Sequence, residues 1–183
     1  TGAIFQMFNH GTITSMLFLI VGVIYDRAHT RCMDDFGGLA NKMPVYTGIM
    51  SIAFFAAIGL PGFSGFVSEI MVFLGSFKSF PLLTVIGASG IIIGAAYMLW
   101  ALQKVFFGKL NPKWEGPWDP TGKKYRHDDV NSVELAALVP LAAIVVFLGV
   151  QPSYVIGMMT TSVNQLIDLV APFVTHVATL PGL

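Results

Sequence analysis

Long apolar stretches separated by short polar segments run through most of the chain. The pattern predicts about five membrane segments, at residues 3–24, 44–60, 62–80, 82–107 and 133–150. Several of them approach the roughly 20 residues that an α-helix needs to cross a bilayer. A soluble protein with an unusually apolar core is the alternative, but it has no need of such long runs. Residues 1–151 are therefore predicted to form an all-α, polytopic transmembrane helix bundle.

The second and third segments meet at Gly59-Leu60-Pro61-Gly62 without a polar linker. Proline removes a backbone donor and glycine loosens the chain, so a discontinuous helix is predicted here. Each segment is near 25 Å long, short of a hydrocarbon core of about 30 Å, which leaves two complete crossings or two re-entrant halves open. Unwound backbone inside a membrane must be buried in protein or line water, and transporters place ion sites at such breaks.

The C-terminal part has a different pattern. From Ser153 to about Val174, apolar residues recur at helical spacing, and polar residues such as Thr160 and Asp168 fall on other faces. We expect residues 152–183 to form an amphipathic C-terminal helix that lies along the membrane surface. The alternative is a sixth span, which would place Asp168 deep in lipid or protein.

Composition supports a membrane protein, since 55% of the residues are hydrophobic and 11% are charged. Ten basic and ten acidic residues balance, so charge does not indicate a nucleic-acid partner. Cys32 is the only cysteine, which excludes an internal disulfide and a self-contained iron–sulfur cluster. The chain opens at Thr1 inside a hydrophobic pattern, and we expect it to be the C-terminal part of a longer protein.

Basic residues concentrate in two loops. They are Arg27, Arg31 and Lys42 in the first loop, and Lys109, Lys113, Lys123, Lys124 and Arg126 in the second. The excess in the second loop predicts that residues 108–131 are cytoplasmic, with the C-terminal helix on the opposite face. The second and third segments would either both cross or both re-enter, and either arrangement returns the chain to the side where it started. The fourth segment then crosses once, so the two loops are expected on opposite sides of the membrane.

The first loop also carries acidic residues and a histidine. Asp26, His29, Asp34 and Asp35 join its arginines, and we expect these groups to pair with one another or with a neighbouring subunit. Their spacing does not support a metal site.

Glu69 is the foremost candidate for chemistry. It lies about 10 Å along the third segment, where a charge costs several kcal/mol and such residues pair, face water or become neutral. Burial and neighbouring charges act on a carboxyl group in opposite directions, so a moving charge could make Glu69 bind and release a proton. Ser64 and Ser68 lie beside it, where water could reach. The alternative is that Glu69 only bonds backbone groups freed by Pro61.

His10 lies well inside the first segment, with Asn9 beside it and Thr14 one turn on. Histidine relays protons near neutral pH, although a packing role fits its position equally well. Glu69 on a neighbouring helix favours the relay. We therefore expect Glu69 and His10 to transfer protons. We expect Gly59, Pro61 and Gly62 to form the helix break, and Asn9, Thr14, Ser64 and Ser68 to be candidates for lining the path.

Four motifs carry a resemblance to a known family. They are Gln6-Met7-Phe8-Asn9-His10-Gly11, Tyr25-Asp26-Arg27-Ala28-His29-Thr30-Arg31, Gly37-Gly38-Leu39 and Gly59-Leu60-Pro61-Gly62-Phe63-Ser64-Gly65-Phe66-Val67-Ser68-Glu69. Through nearly its whole length the chain resembles the antiporter-like membrane subunits of respiratory complex I. Sister subunits and related cation/proton antiporters usually carry lysine where this sequence has Glu69, so glutamate indicates one branch of the family.

The resemblance implies a bundle of fourteen transmembrane helices in two inverted repeats, each with a discontinuous helix, of which this chain is similar to the last third. It implies that quinone reduction elsewhere drives proton transfer, with His10 as a relay and Glu69 as the terminal exchange residue. NADH, FMN, iron–sulfur clusters and quinone would bind other subunits, and none of them this chain. Partners would be other membrane-arm subunits, including sister antiporter-like subunits, and the lipid bilayer of a bacterial inner membrane.

The first inverted repeat is absent from these residues, so this piece alone is not expected to pump. Two other classes stay open at this point. One is a subunit of a cation/proton antiporter driven by an ion gradient, and the other is a passive scaffold.

Overall fold

The protein is helical throughout the part of the chain that the structure, a computed structural model, describes, which is residues 1–116 and 128–178. Those residues contain six α-helices and no β-strand. The helices are α1 (Gly2–Ala28), α2 (Pro44–Ile58), α3 (Ser64–Phe77), α4 (Pro81–Phe106), α5 (Ser132–Val150) and α6 (Ser153–Ala178). The predicted all-α class is confirmed.

Three of the described helices, α1, α4 and α5, are long and apolar enough to cross a membrane. α2 and α3 are apolar but shorter, with 15 and 14 residues. α6 has 26 residues but is not among the helices with the length and apolar character of a span.

α2 runs antiparallel to α1 and packs on its C-terminal half. Near the start of α2, the Tyr46 hydroxyl donates a hydrogen bond to the carbonyl of Ile20 at 2.9 Å. Near the end of α2, the backbone oxygen of Ala56 faces Gly65 of α3, where a Cβ atom would lie 2.4 Å from that oxygen. The same Cβ position lies 3.5 Å from the side chain of Ile13 in α1. The contacts thus move towards the start of α1 as α2 proceeds.

α3 continues in the same direction as α2. At its first turn, the Asn9 amide donates to the carbonyl of Ser64 at 3.0 Å. Further along α3, Met71 lies beside Gly2, where a Cβ atom would be 2.7 Å from the Met71 Cβ. Both helices therefore run antiparallel to α1, one after the other, as the two parts of a single discontinuous helical segment. Neither two complete crossings nor two re-entrant halves describes the arrangement.

Glycine and proline shape the break between these helices. The N–H of Gly59 bonds to the carbonyl of Ala56 at 3.2 Å, and that of Leu60 to the carbonyl of Phe55 at 3.0 Å. This is a Schellman motif, which needs a left-handed residue, and Gly59 supplies φ 76°. Pro61 follows at once and cannot continue a helix. The chain re-enters helical conformation only at Ser64.

The expectation that the two basic loops lie on opposite sides is wrong. Lys104, at the end of α4, pairs with Asp34 of the first loop at 2.5 Å, and Lys113 of the second loop pairs with Asp35 at 2.5 Å. The loops meet because α2 and α3 make a single crossing, so α4 returns the chain to the side where α1 ended. Lys123, Lys124 and Arg126 lie outside the described residues.

The charges of the first loop were also expected to pair with one another, and this is wrong for Arg27, Asp34 and Asp35. Asp34 and Asp35 contact lysines outside their own loop. Arg27 points into the bundle, where it pairs with Glu134 of α5. The reason is that α1 extends to Ala28, so Arg27 belongs to its last turn and not to a loop.

Gly149 of α5 packs directly against the break, and a larger residue there is expected to destabilise the bundle. A Cβ atom on Gly149 would lie 2.2 Å from the carbonyl oxygen of Gly62 and 2.5 Å from the Cα of Phe63. Gly149→Ala should cost about 1–3 kcal/mol through overpacking, which exceeds the roughly 1 kcal/mol gained in helix propensity. The measurement is the thermal unfolding midpoint of the purified complex. Gly157→Ala in α6, which meets open space, is the control, and equal midpoints would contradict this packing.

Candidate functional site: the carboxylate at the helix break

Glu69 lies in the second turn of α3 and folds back onto the break. Its Oε2 atom is 2.6 Å from the position that a Cβ atom on Gly59 would take. Gly59 therefore permits the left-handed turn and also leaves room for the carboxylate. The side chain is half-buried, and no hydrogen bond or cation from the described residues reaches it. The carboxylate therefore has no direct polar partner among the described residues.

Two cavities open onto Glu69. The first, which we name the His10 cavity, has a volume of about 200 Å³, and Glu69, His10 and Thr14 all line it. The second, which we name the glycine cavity, has about 320 Å³ and lies against Gly90 and Gly94 of α4. Each volume exceeds the roughly 30 Å³ that one molecule occupies in liquid water. The carboxylate thus borders two spaces that differ in the helices that enclose them.

The His10 cavity brings together three of the predicted site residues. His10 and Thr14 come from α1, and Glu69 comes from α3. The Thr14 hydroxyl donates to the carbonyl of His10 at 2.6 Å, so it is bonded within its own helix. Among the described residues, no hydrogen bond joins the His10 ring to Glu69, so the two groups share the cavity without direct contact.

Asn9, Ser64 and Ser68 lie elsewhere, in the interface between α1 and α3. The buried Asn9 amide donates to the Ser64 carbonyl and to the Ser68 hydroxyl, each at 3.0 Å. The Ser68 hydroxyl donates to Gln6 Oε1. These bonds join α1 to the first turns of α3, and the role of the three residues in a proton path stays a prediction. Gln6 was not predicted, although it lies one turn before His10 and so on the same helical face.

A buried ion pair that sequence reasoning missed joins the ends of α1 and α5. The Arg27 guanidinium, whose side chain is 3% exposed, donates to both carboxylate oxygens of Glu134 at 2.9 Å. It also donates to the carbonyls of Asp128 at 2.7 Å, Asp129 at 3.0 Å and Val23 at 2.8 Å. Paired and fully hydrogen-bonded, this is the geometry in which a buried charge is tolerated.

The same cluster reaches the start of α2. The Asp129 carboxylate accepts bonds from the backbone N–H groups of Val45 and Tyr46 at 2.8 and 2.9 Å, which caps the first turn of α2. Asn131 and Glu134 form a capping box at the start of α5. That Asn-x-x-Glu spacing was the available sequence signal. The cluster fixes three helix ends on one side of the bundle.

An apolar bundle with a discontinuous span and a carboxylate at the break has the design of a membrane transport protein. The chain belongs to the NADH:quinone oxidoreductase/Mrp antiporter transmembrane family, whose model matches residues 1–94.

Curated relatives indicate the branch. The chain is 39% identical to NADH-quinone oxidoreductase subunit M of Rickettsia conorii over 168 residues, which cover 91% of this chain and 32% of that protein. It is 42% identical to subunit M of Rhodobacter capsulatus, over 91% of this chain and 31% of that one. It is also 36% identical to F(420)H(2) dehydrogenase subunit M of Methanosarcina mazei, over 93% of this chain and 32% of that protein. The resemblance drawn from the motifs is confirmed, and the branch indicated by glutamate at position 69 is subunit M. The chain spans about a third of the length of these relatives.

Solved structures agree on the fold. Respiratory complex I from Thermus thermophilus with bound NADH contains a chain that superimposes with a TM-score of 0.70 at 31% identity, over 84% of this chain and 30% of that one. A chain of the Mrp complex from Dietzia superimposes with a TM-score of 0.68 at 19% identity, over 84% of this chain and 35% of that one. The second likeness concerns the fold alone.

Proposed function

We propose that this chain transfers protons as the C-terminal part of subunit M, also called chain 4, of a proton-translocating NADH:quinone oxidoreductase. Quinone reduction elsewhere in the complex would be coupled to proton movement through this bundle. The position of Glu69 carries the proposal, since its carboxylate lies at a helix break and borders two cavities. An ionisable residue inside a membrane marks an ion or proton pathway by default.

In this mechanism His10 and Glu69 act in sequence through the His10 cavity. The His10 imidazole passes a proton to water in the cavity, and the Glu69 carboxylate takes it from there. Glu69 then releases the proton towards the glycine cavity when a change in nearby charge favours its ionised form. The break lets α3 shift relative to α2 as the carboxylate changes charge.

The distribution of cations gives an orientation. Arg27, Arg31, Lys42, Lys109 and Lys113 share the side on which the two loops meet, whereas Lys78 lies between α3 and α4. By the positive-inside rule, both loops would lie on the cytoplasmic face of a bacterial inner membrane. Residues 108–131, of which 117–127 lie outside the described part of the chain, would be cytoplasmic with them. Residues 1–151 would form the membrane bundle, and the amphipathic C-terminal helix at 152–183 would lie along the opposite face.

Electron carriers would bind to other subunits of the complex, and the partners of this chain would be its neighbours in the membrane arm. A cation/proton antiporter subunit is the alternative function. Glutamate in place of the usual lysine at position 69 argues against it. The two functions differ in what drives them, which is electron transfer in one and an ion gradient in the other.

Filling the His10 cavity tests the proposal. Thr14→Phe should place a ring in the His10 cavity and lower proton uptake about tenfold in vesicles that carry the whole complex, with electron transfer measured in parallel. Thr14→Val removes the hydroxyl but keeps the volume, and should leave uptake near wild type, because the hydroxyl is bonded within α1. Normal uptake per electron in Thr14→Phe would contradict the proposed route.

A further inference from the structure

A third cavity lies at the loop side of the bundle, away from Glu69. It has a volume of about 240 Å³ and is enclosed by the C-terminal halves of α1 and α4 and by α2. Its wall is almost entirely aliphatic and aromatic. The lining includes Val21, Ile24, Met50, Phe54, Val105 and Phe106. An apolar cavity of about 150 Å³ can hold a molecule the size of benzene, so this one admits a longer hydrocarbon segment.

Among the described residues that line this cavity, Arg31 alone is charged. Its side chain is exposed, and its guanidinium lies 4.9 Å from the centre of the Tyr25 ring. No carboxylate in the described part of the chain forms an ion pair with it. The cation at the edge of the apolar groove is therefore available to an anionic ligand.

Two acidic groups of the loop that carries Arg31 are already engaged. Asp34 pairs with Lys104, and Asp35 accepts bonds from Lys113 and from the Thr30 hydroxyl. The hydrogen bonds from Lys113 and Thr30 lower the pKa of Asp35, so this carboxylate is ionised at neutral pH. The positive charge of Lys113 offsets its negative charge. Neither acid offsets the charge of Arg31, and the Thr30 hydroxyl is also committed.

We propose that this groove binds one acyl chain of an anionic glycerophospholipid, with its phosphate held by Arg31. The apolar cavity accommodates the acyl chain, and the planar guanidinium can donate two parallel hydrogen bonds to phosphate oxygens. A groove with a cation at its edge, between membrane helices and on the basic side of the bundle, matches the known way in which such pockets hold lipid headgroups. With Arg31 as the single charged contact, selectivity should follow headgroup charge.

The test uses the whole complex in vesicles that contain a photoactivatable diazirine on an acyl chain of either phosphatidylglycerol or phosphatidylcholine. Labelling of peptides from α2 and α4 at the groove should be stronger with phosphatidylglycerol. Arg31→Gln should lower that labelling about fivefold, Arg31→Lys should keep most of it, and the exposed Lys109→Gln should leave it unchanged.

Filling the slot gives a second, independent measurement. Met50→Trp should abolish labelling of the groove by both lipids, and Val105→Phe serves the same purpose if the first variant does not assemble. Equal labelling by the two lipids, or labelling that Arg31→Gln leaves unchanged, would overturn the role of Arg31. Wild-type complex whose groove peptides are unlabelled by either lipid, or cross-linked only to a neighbouring subunit, would overturn the lipid site altogether.

Discussion

Glu69→Gln is expected to abolish proton uptake driven by electron transfer while the complex still assembles. The amide matches the carboxyl group in size, so it fits against Gly59 and keeps the break intact, but it has no exchangeable acid. Proton uptake per electron in vesicles should fall at least tenfold. Glu69→Asp should retain a part of the activity, because it keeps the acid and shortens its reach.

The matched control for this change is Glu115→Gln, which alters an exposed glutamate outside the described helices. It should leave both uptake and electron transfer unchanged. Wild-type uptake per electron in Glu69→Gln would show that the carboxyl group serves only the structure of the break, and would favour the passive scaffold. Proton uptake by the wild-type complex that persists without electron transfer and is driven by a sodium gradient would favour the antiporter.

Arg27→Met is expected to have the largest effect on stability. The substitution leaves Glu134 as an uncompensated charge in the bundle and removes the donors to three backbone carbonyls. Breaking a buried pair on one side costs about 3–5 kcal/mol, a large part of the stability of a typical domain. The yield of assembled complex and its thermal unfolding midpoint should both fall sharply.

A double replacement separates the ion pair from general packing. Arg27→Met with Glu134→Leu removes both charges, and replacing a whole buried pair by apolar residues is often neutral. The double variant should therefore recover most of the lost stability, and the exposed Lys109→Met should lose none. If the double variant is no more stable than Arg27→Met, the carbonyl contacts of Arg27 and the capping box of Glu134, and not the unpaired charge, set the stability of this corner.

The helices and the break follow from local sequence signals. Apolar length places α1, α4 and α5 within a few residues of the predicted segments, and the Gly59-Leu60-Pro61-Gly62 motif encodes its own stop. The relative direction of α2 and α3 does not follow from such signals, because it depends on which parts of α1 they contact. That missing direction is why the two loops were expected on opposite sides.

The site was only partly predictable, for a geometric reason. Asn9 and His10 are adjacent on an α-helix and so point about 100° apart, which prevents both from facing one cavity. The structure turns His10 towards the cavity of Glu69 and Asn9 towards α3. Sequence supplies the candidates, but the packing of α3 on α1 decides which of them share a space. The Arg27 cluster escaped prediction because its partners lie more than 100 residues away.

Proton exchange at Glu69 requires that its carboxyl group change protonation during turnover, which can be measured directly. Infrared difference spectra of the whole complex, recorded between the resting and the electron-transferring states, report protonation of a carboxylic acid through its C=O stretch. We expect such a band in the wild-type and Glu115→Gln complexes, and its loss in Glu69→Gln. An unchanged carboxylic-acid signal in Glu69→Gln would contradict proton exchange at this residue.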